Sequence, residues 1–203
     1  MSESKNIPVN LYAESTPNPN AMKFVCDTRL LEEDDTVELK TIYEAQQRSP
    51  LATEIMKFPF VDSVFIAPYF ITVLKHDYSN WENVVNGLRD MIRDLIIIGI
   101  PAKIEPAEIE GKEEQKKEAV KPITTDETSQ KIIEILDEYV KPAVERDGGT
   151  IQFRSFKNGL VKVAMGGACS GCPSTTITLK NGVEHLLKQM LPDKVREVET
   201  DDV

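Results

Sequence analysis

Met165-Gly166-Gly167-Ala168-Cys169-Ser170-Gly171-Cys172-Pro173-Ser174 decides how the C-terminal part of this 203-residue chain is read. Before it, Thr150–Phe156 and Leu160–Met165 read as strands separated by Lys157-Asn158-Gly159, and Asn-Gly between such runs is a strong hairpin signal. After it, Ser174–Met190 reads as a helix, and Pro173 fits the first turn, where its missing N–H costs nothing. Lys194–Glu199 reads as a final short strand. Upstream, a helix over 128–144 carries Ile132, Ile133, Ile135, Leu136, Tyr139, Val140 and Val144 on an apolar face, with Pro142 placed to kink its end. Asp147-Gly148-Gly149 then turns the chain. The expected order is helix, strand, strand, helix, strand.

The decisive stretch also carries the chemistry. Two cysteines three apart on a loop can place both sulfurs on one ion or cluster. Gly166, Gly167 and Gly171 remove bulk and permit positive φ, so that backbone N–H groups can approach sulfur. A helix N-terminus behind Cys172 favours thiolate over thiol. Three chemistries suit such a pair. A thioredoxin-like redox pair also opens a helix after a strand. Against it, the 31 residues that follow are too few for that fold, and the preceding hairpin is wrong for a parallel βαβ unit. Structural zinc wants four ligands, of which the loop supplies two. Cys26, His76 and His185 are the only other candidates and none shows ligand spacing. An iron–sulfur cluster shared by two chains obtains four thiolates from two facing motifs.

The whole composition narrows the class. Three cysteines are too few for a disulfide scaffold or for a four-cysteine site within one chain. A net charge of -10 leaves no basic stripe for nucleic acid. The longest apolar run, Leu95–Ile100, is too short to cross a bilayer. The first ten residues are polar and resemble neither a signal peptide nor a transit segment, so a reducing cytoplasm is the expected compartment. No phosphate loop, nucleophile elbow or paired histidine and carboxylate accompanies the thiols, so the chain is not expected to be an enzyme.

Residues 102–126 are dominated by Lys and Glu, lack aromatics and are punctuated by proline, as in a charged linker. They divide the chain into two small α+β domains, 1–101 and 127–203. The first holds most of the acidity, about -6 of the net charge. Val9–Glu14 and Met22–Cys26 read as strands around the turn at 15–20. Ser49 and Pro50 open a short helix to Lys57. Val61–Ala67 and Tyr69–Lys75 form a hairpin broken by Pro68. Ser79 or Asn80 caps a helix to about Ile98, closed by Gly99. Cys26 ends an apolar strand and reads as a small buried hydrophobe. No catalytic constellation is visible in this domain.

At these residues the sequence resembles the NifU-like, or Nfu, family of iron–sulfur cluster proteins. RDGGTIQF at 146–153 resembles the family's helix-to-strand turn, and MGGACSGCPSTTITLKNGVEHLLK at 165–188 its cluster-binding segment. STPNPNAMKF at 15–24 resembles the Nfu N-terminal scaffold domain. The resemblance implies that Cys169 and Cys172 ligate iron. It further implies a homodimer holding one [4Fe–4S] cluster between its chains, supplied by upstream assembly machinery and delivered to apo iron–sulfur proteins. The additional scaffold and ferredoxin-like domains of full-length nitrogen-fixation NifU have no cysteines here to serve them. The alternatives are a zinc-stabilised dimeric module and a thiol-disulfide redox protein.

Overall fold

A computed structural model describes residues 9–32, 35–104, 127–170 and 173–202. The chain is α+β and divides into two compact units, residues 1–108 and 109–203.

Among the described residues, the N-terminal unit holds a five-stranded sheet and three helices. Its strands are β1 (Leu11–Ser15), β2 (Ala21–Cys26), β3 (Val37–Leu39), β4 (Val61–Ala67) and β5 (Phe70–Lys75). They lie in the order β1-β2-β5-β4-β3, every neighbouring pair antiparallel. Pro68-Tyr69 forms the two-residue turn between β4 and β5, since Ala67 already pairs with Phe70. Helices α1 (Ile42–Arg48) and α2 (Pro50–Met56) meet at Ser49. Its backbone N–H closes α1 on the Ala45 carbonyl, and its hydroxyl caps α2 by accepting the Ala52 N–H at 3.0 Å. The cap of α3 (Trp81–Ile97) is Asn80, whose side-chain oxygen accepts the Glu82 N–H at 3.1 Å. Gly99, at φ +80°, ends the run as expected. Phe24, Leu39, Leu51, Ile55, Ile66, Ile71, Leu88 and Ile92 form the fully buried heart of this core.

Two elements of this unit, β3 and α1, lie in a stretch for which no element was expected. Ala102 is buried in the same core, and the Ile104 N–H donates to the Arg48 carbonyl. Packing therefore continues three residues past Pro101. Residues 105–126 of the charged stretch lie outside the described residues.

Among the described residues, the C-terminal unit begins with α4 (Glu127–Ile135), one π-helical turn (Leu136–Val140) and α5 (Lys141–Arg146). One helix with a kink was expected here. The break comes a turn before Pro142, where the Lys141 N–H reaches back five residues to the Leu136 carbonyl. Proline in the first turn of α5 has no N–H to continue an unbroken ladder. Then follow β6 (Gly149–Lys157), β7 (Leu160–Gly167), α6 (Pro173–Met190) and β8 (Glu197–Asp202). The order helix, strand, strand, helix, strand holds.

β6 and β7 form the expected hairpin around Asn158 (φ +52°) and Gly159 (φ +83°), both left-handed as a tight hairpin turn requires. β8 pairs parallel with β7. The helix α6 is therefore a crossover, and β7-α6-β8 is a parallel βαβ unit. This corrects the expectation that the hairpin excludes such a unit, because an antiparallel partner on one edge of β7 leaves its other edge open. β8 starts three residues later than expected. The N–H groups of Arg196 and Glu197 both donate to the Gly159 carbonyl, which sets where pairing begins. Ile132, Met165 and Leu187 are the largest side chains fully buried in the core beneath this sheet.

Candidate metal centre

Cys169 lies two residues past the end of β7, between that strand and the N-terminus of α6. It is only 3% exposed and belongs to the apolar core of its unit. Its position follows from three local features. The ladder brings Gly149 opposite Gly167 and Thr150 opposite Gly166, so glycines occupy the ends of both strands. Gly167 has φ +65°, which turns the chain out of β7. The Ala168 N–H then donates to the Gly148 carbonyl at 3.0 Å, tying the loop to the start of β6. Ser170 adds two further ties, with its N–H on the Gly167 carbonyl at 3.0 Å and its hydroxyl donating to the Met165 carbonyl at 3.3 Å.

Gly149 touches the thiol directly. A Cβ built on it would stand 2.5 Å from Cys169 Sγ and 3.1 Å from the Gly166 carbonyl oxygen. Unlike Gly148, at φ +80°, Gly149 has no positive φ to explain it. It is glycine for space, and the space holds a sulfur atom. Reading Asp147-Gly148-Gly149 only as a turn missed this contact. The available signal was the second glycine, one more than the turn needs.

Cys172 and Gly171 lie outside the described residues. Of the remaining candidates, Cys26 and His76 belong to the N-terminal unit and His185 to α6. Cys26 is buried in the N-terminal core, and burial raises its thiol pKa above the ordinary value, only partly opposed by the N–H of Thr28. That keeps it protonated and inert. His76 stacks on Tyr78 and sets Nδ1 3.3 Å from an Asp62 carboxylate oxygen in the N-terminal unit. His185 is exposed on α6. Among the described residues, no group of three or more His, Cys, Asp or Glu side chains is placed to hold a metal ion. No helix among them is long and apolar enough to cross a membrane.

The fold and site define a two-unit protein whose C-terminal unit presents cysteine on a glycine-rich loop, at the foot of a crossover helix. Comparison with known proteins gives the family. The family model described as "NifU-like domain" matches residues 132–199, and that described as "Scaffold protein Nfu/NifU N terminal" matches residues 11–98. Several curated relatives carry the name "NFU1 iron-sulfur cluster scaffold homolog, mitochondrial". Those from Drosophila willistoni and Homo sapiens are each 34% identical to this chain over 186 residues, 90% of its length. The chain spans 61% of the fly protein and 68% of the human one. It belongs to the Nfu family of scaffold proteins.

These relatives overturn the expected cytoplasmic location, since their names place them in mitochondria. The expectation rested on reduced thiols and a polar start to the chain. Reduced thiols do not distinguish one reducing compartment from another.

Proposed function

We propose that the chain is an iron–sulfur cluster scaffold, in which Cys169 and Cys172 of two copies hold a [4Fe–4S] cluster as cargo for delivery to apo-proteins. The observation that carries this is the seat of Cys169. The chain gives up a side chain at Gly149 to place one thiol at the junction of β7 and α6. The scaffold family and the names of the relatives support the cargo. The N-terminus of α6, directly after the motif, favours bound anionic thiolate and sulfide.

Two ligands per chain make a second copy the complement of the site. The exposed face of α6 suits that copy. Ile177 is 60% exposed one turn into the helix, and Thr178, Asn181, Gly182 and His185 continue the exposed surface without a formal charge. Loss of one protomer removes half the ligands, so acceptor thiolates compete readily for the cargo. The N-terminal domain, residues 1–101 with 102–104 packed onto it, is joined by the rest of the charged stretch to residues 127–203 and provides the surface for upstream machinery and acceptors.

Anaerobic reconstitution with iron and sulfide tests this. Mössbauer spectroscopy should report a [4Fe–4S] cluster, and the solution mass should be that of a dimer. Cys169→Ser and Cys172→Ser should each abolish loading. Cluster retention by either variant refutes the ligand assignment. One zinc per dimer without visible charge-transfer absorption selects a zinc-stabilised module instead. Disulfide turnover by metal-free monomer selects a redox protein.

A further inference from the structure

We propose that Gly149 is a positioning residue for cargo loading: the space left by its missing side chain stows the Cys169 thiol in a closed loop, which must open for that thiol to ligate. The inference rests on the assignment of Cys169 as a ligand. An iron atom shared with a second chain requires a sulfur at the protomer surface. In the closed loop Cys169 is buried instead, its sulfur against Gly149 and its neighbours in the apolar core.

The closure is specific. It includes the Ala168 N–H on the Gly148 carbonyl, the Ser170 N–H on the Gly167 carbonyl and the Ser170 hydroxyl on the Met165 carbonyl. The first of these spans the two sides of the seat, joining the turn before β6 to the loop after β7. Gly166 and Gly167 supply the backbone freedom to swing the loop outward, and Gly167 already sits in the left-handed region. The N–H groups of Ala168 and Ser170 are engaged by carbonyls while the loop is closed and become available to sulfur when it opens. Stowing protects one ligand from oxidation and alkylation until loading. The 20-residue separation of Gly149 and Cys169 in sequence makes β6 part of the site.

The test is thiol protection in the metal-free full-length chain, kept anaerobic and pulsed with iodoacetamide. Peptide mass spectrometry then resolves Cys26, Cys169 and Cys172. Native Cys169 should react about tenfold or more slowly than in the denatured chain, as for a group exposed only by local opening. Gly149→Ala, which puts a carbon 2.5 Å from the sulfur, should remove about tenfold of that protection while Cys26 stays protected. Ser170→Ala, which releases one closing bond without adding an atom, should lower protection in the same direction and covers the case in which Gly149→Ala fails to fold. Val163→Ala, a cavity in the same core, should leave Cys169 protected if opening is local. Denatured-like labelling of native Cys169, unchanged protection in both Gly149→Ala and Ser170→Ala, or equal loss in Val163→Ala overturns the proposal. Failure of the ligand assignment appears separately, as a Cys169→Ser chain that still binds the cluster.

Discussion

Gly159→Ala should destabilise the C-terminal unit by about 2–3 kcal/mol, in two parts that can be separated. Gly159 has φ +83°, and holding a residue with a Cβ in the left-handed region costs about 1–2 kcal/mol. The new carbon would also stand 2.8 Å from Arg196 Cγ, 3.0 Å from Arg196 Cδ and 3.2 Å from the Lys194 carbonyl oxygen. Arg196 can move, but the Lys194 carbonyl is backbone, so the steric part falls near the lower end of the usual overpacking range, about 1 kcal/mol. The position has structural leverage because the Gly159 carbonyl receives the N–H groups of Arg196 and Glu197, where β8 begins to pair. For a domain of this size, 1 kcal/mol shifts Tm by about 4–8 °C, so a fall of about 10–20 °C is expected. Scanning calorimetry measures it. The fluorescence of Trp81, the sole tryptophan and a residue of the N-terminal unit, serves as an internal control. Adding Arg196→Ala should recover part of the steric cost and none of the conformational cost. Gly159→Asn should keep the steric cost and relieve part of the other, since asparagine tolerates this φ. A Gly159→Ala chain within about 0.5 kcal/mol of the parent in urea unfolding refutes the reasoning.

Ser49→Ala removes the hydroxyl that accepts the Ala52 N–H at a fully buried cap, and should cost the N-terminal unit about 1 kcal/mol by chemical denaturation. Glu184 accepts from Lys188 Nζ at 2.6 Å and from the Val198 N–H at 3.1 Å, and these bonds, Lys188 first, hold its carboxyl below the usual glutamate range. A lowered folded pKa stabilises above the unfolded value, about 4.3, and that stabilisation is lost as pH falls through the folded one. Denaturant titrations from neutral to acid pH should therefore show a loss of C-terminal stability that Glu184→Gln flattens. Leu187→Ala empties a fully buried position under the sheet and should cost about 2–5 kcal/mol in the same assay. Ile177→Glu should leave the metal-free chain within about 0.5 kcal/mol of the parent, as an exposed helix substitution does. In anaerobic size exclusion of the reconstituted protein it should shift dimer to monomer, and an unchanged dimer fraction tells against the α6 face.

Much of the fold was legible because its signals are local. Asn158-Gly159 fixed one hairpin, Ser49-Pro50 one helix start and Gly99 one helix end, each through a backbone demand that few residues meet. The helix α1 carries a local signal too. Thr41 caps it by accepting the Glu44 N–H at 3.2 Å, and Glu44 reaches back to the Lys40 N–H, a Thr-x-x-Glu pattern. The strand β3 carries only three residues, too few for an alternating pattern to stand out, and is a strand because it pairs with β4. The same holds at β8, whose start depends on bonds to Gly159 rather than on its own composition.

The sequence alone determined the residue chemistry: a C-x-x-C loop before a helix, few other thiols, and a charged stretch between two apolar blocks. These are properties of neighbours along the chain, and local spacing suffices to read them. Only the tertiary structure decided that β8 lies parallel to β7 and that Gly149 cradles Cys169. Both relations join residues 20 or more positions apart. They follow from strand register and from the packing of one side chain into space that another lacks, which no local pattern encodes.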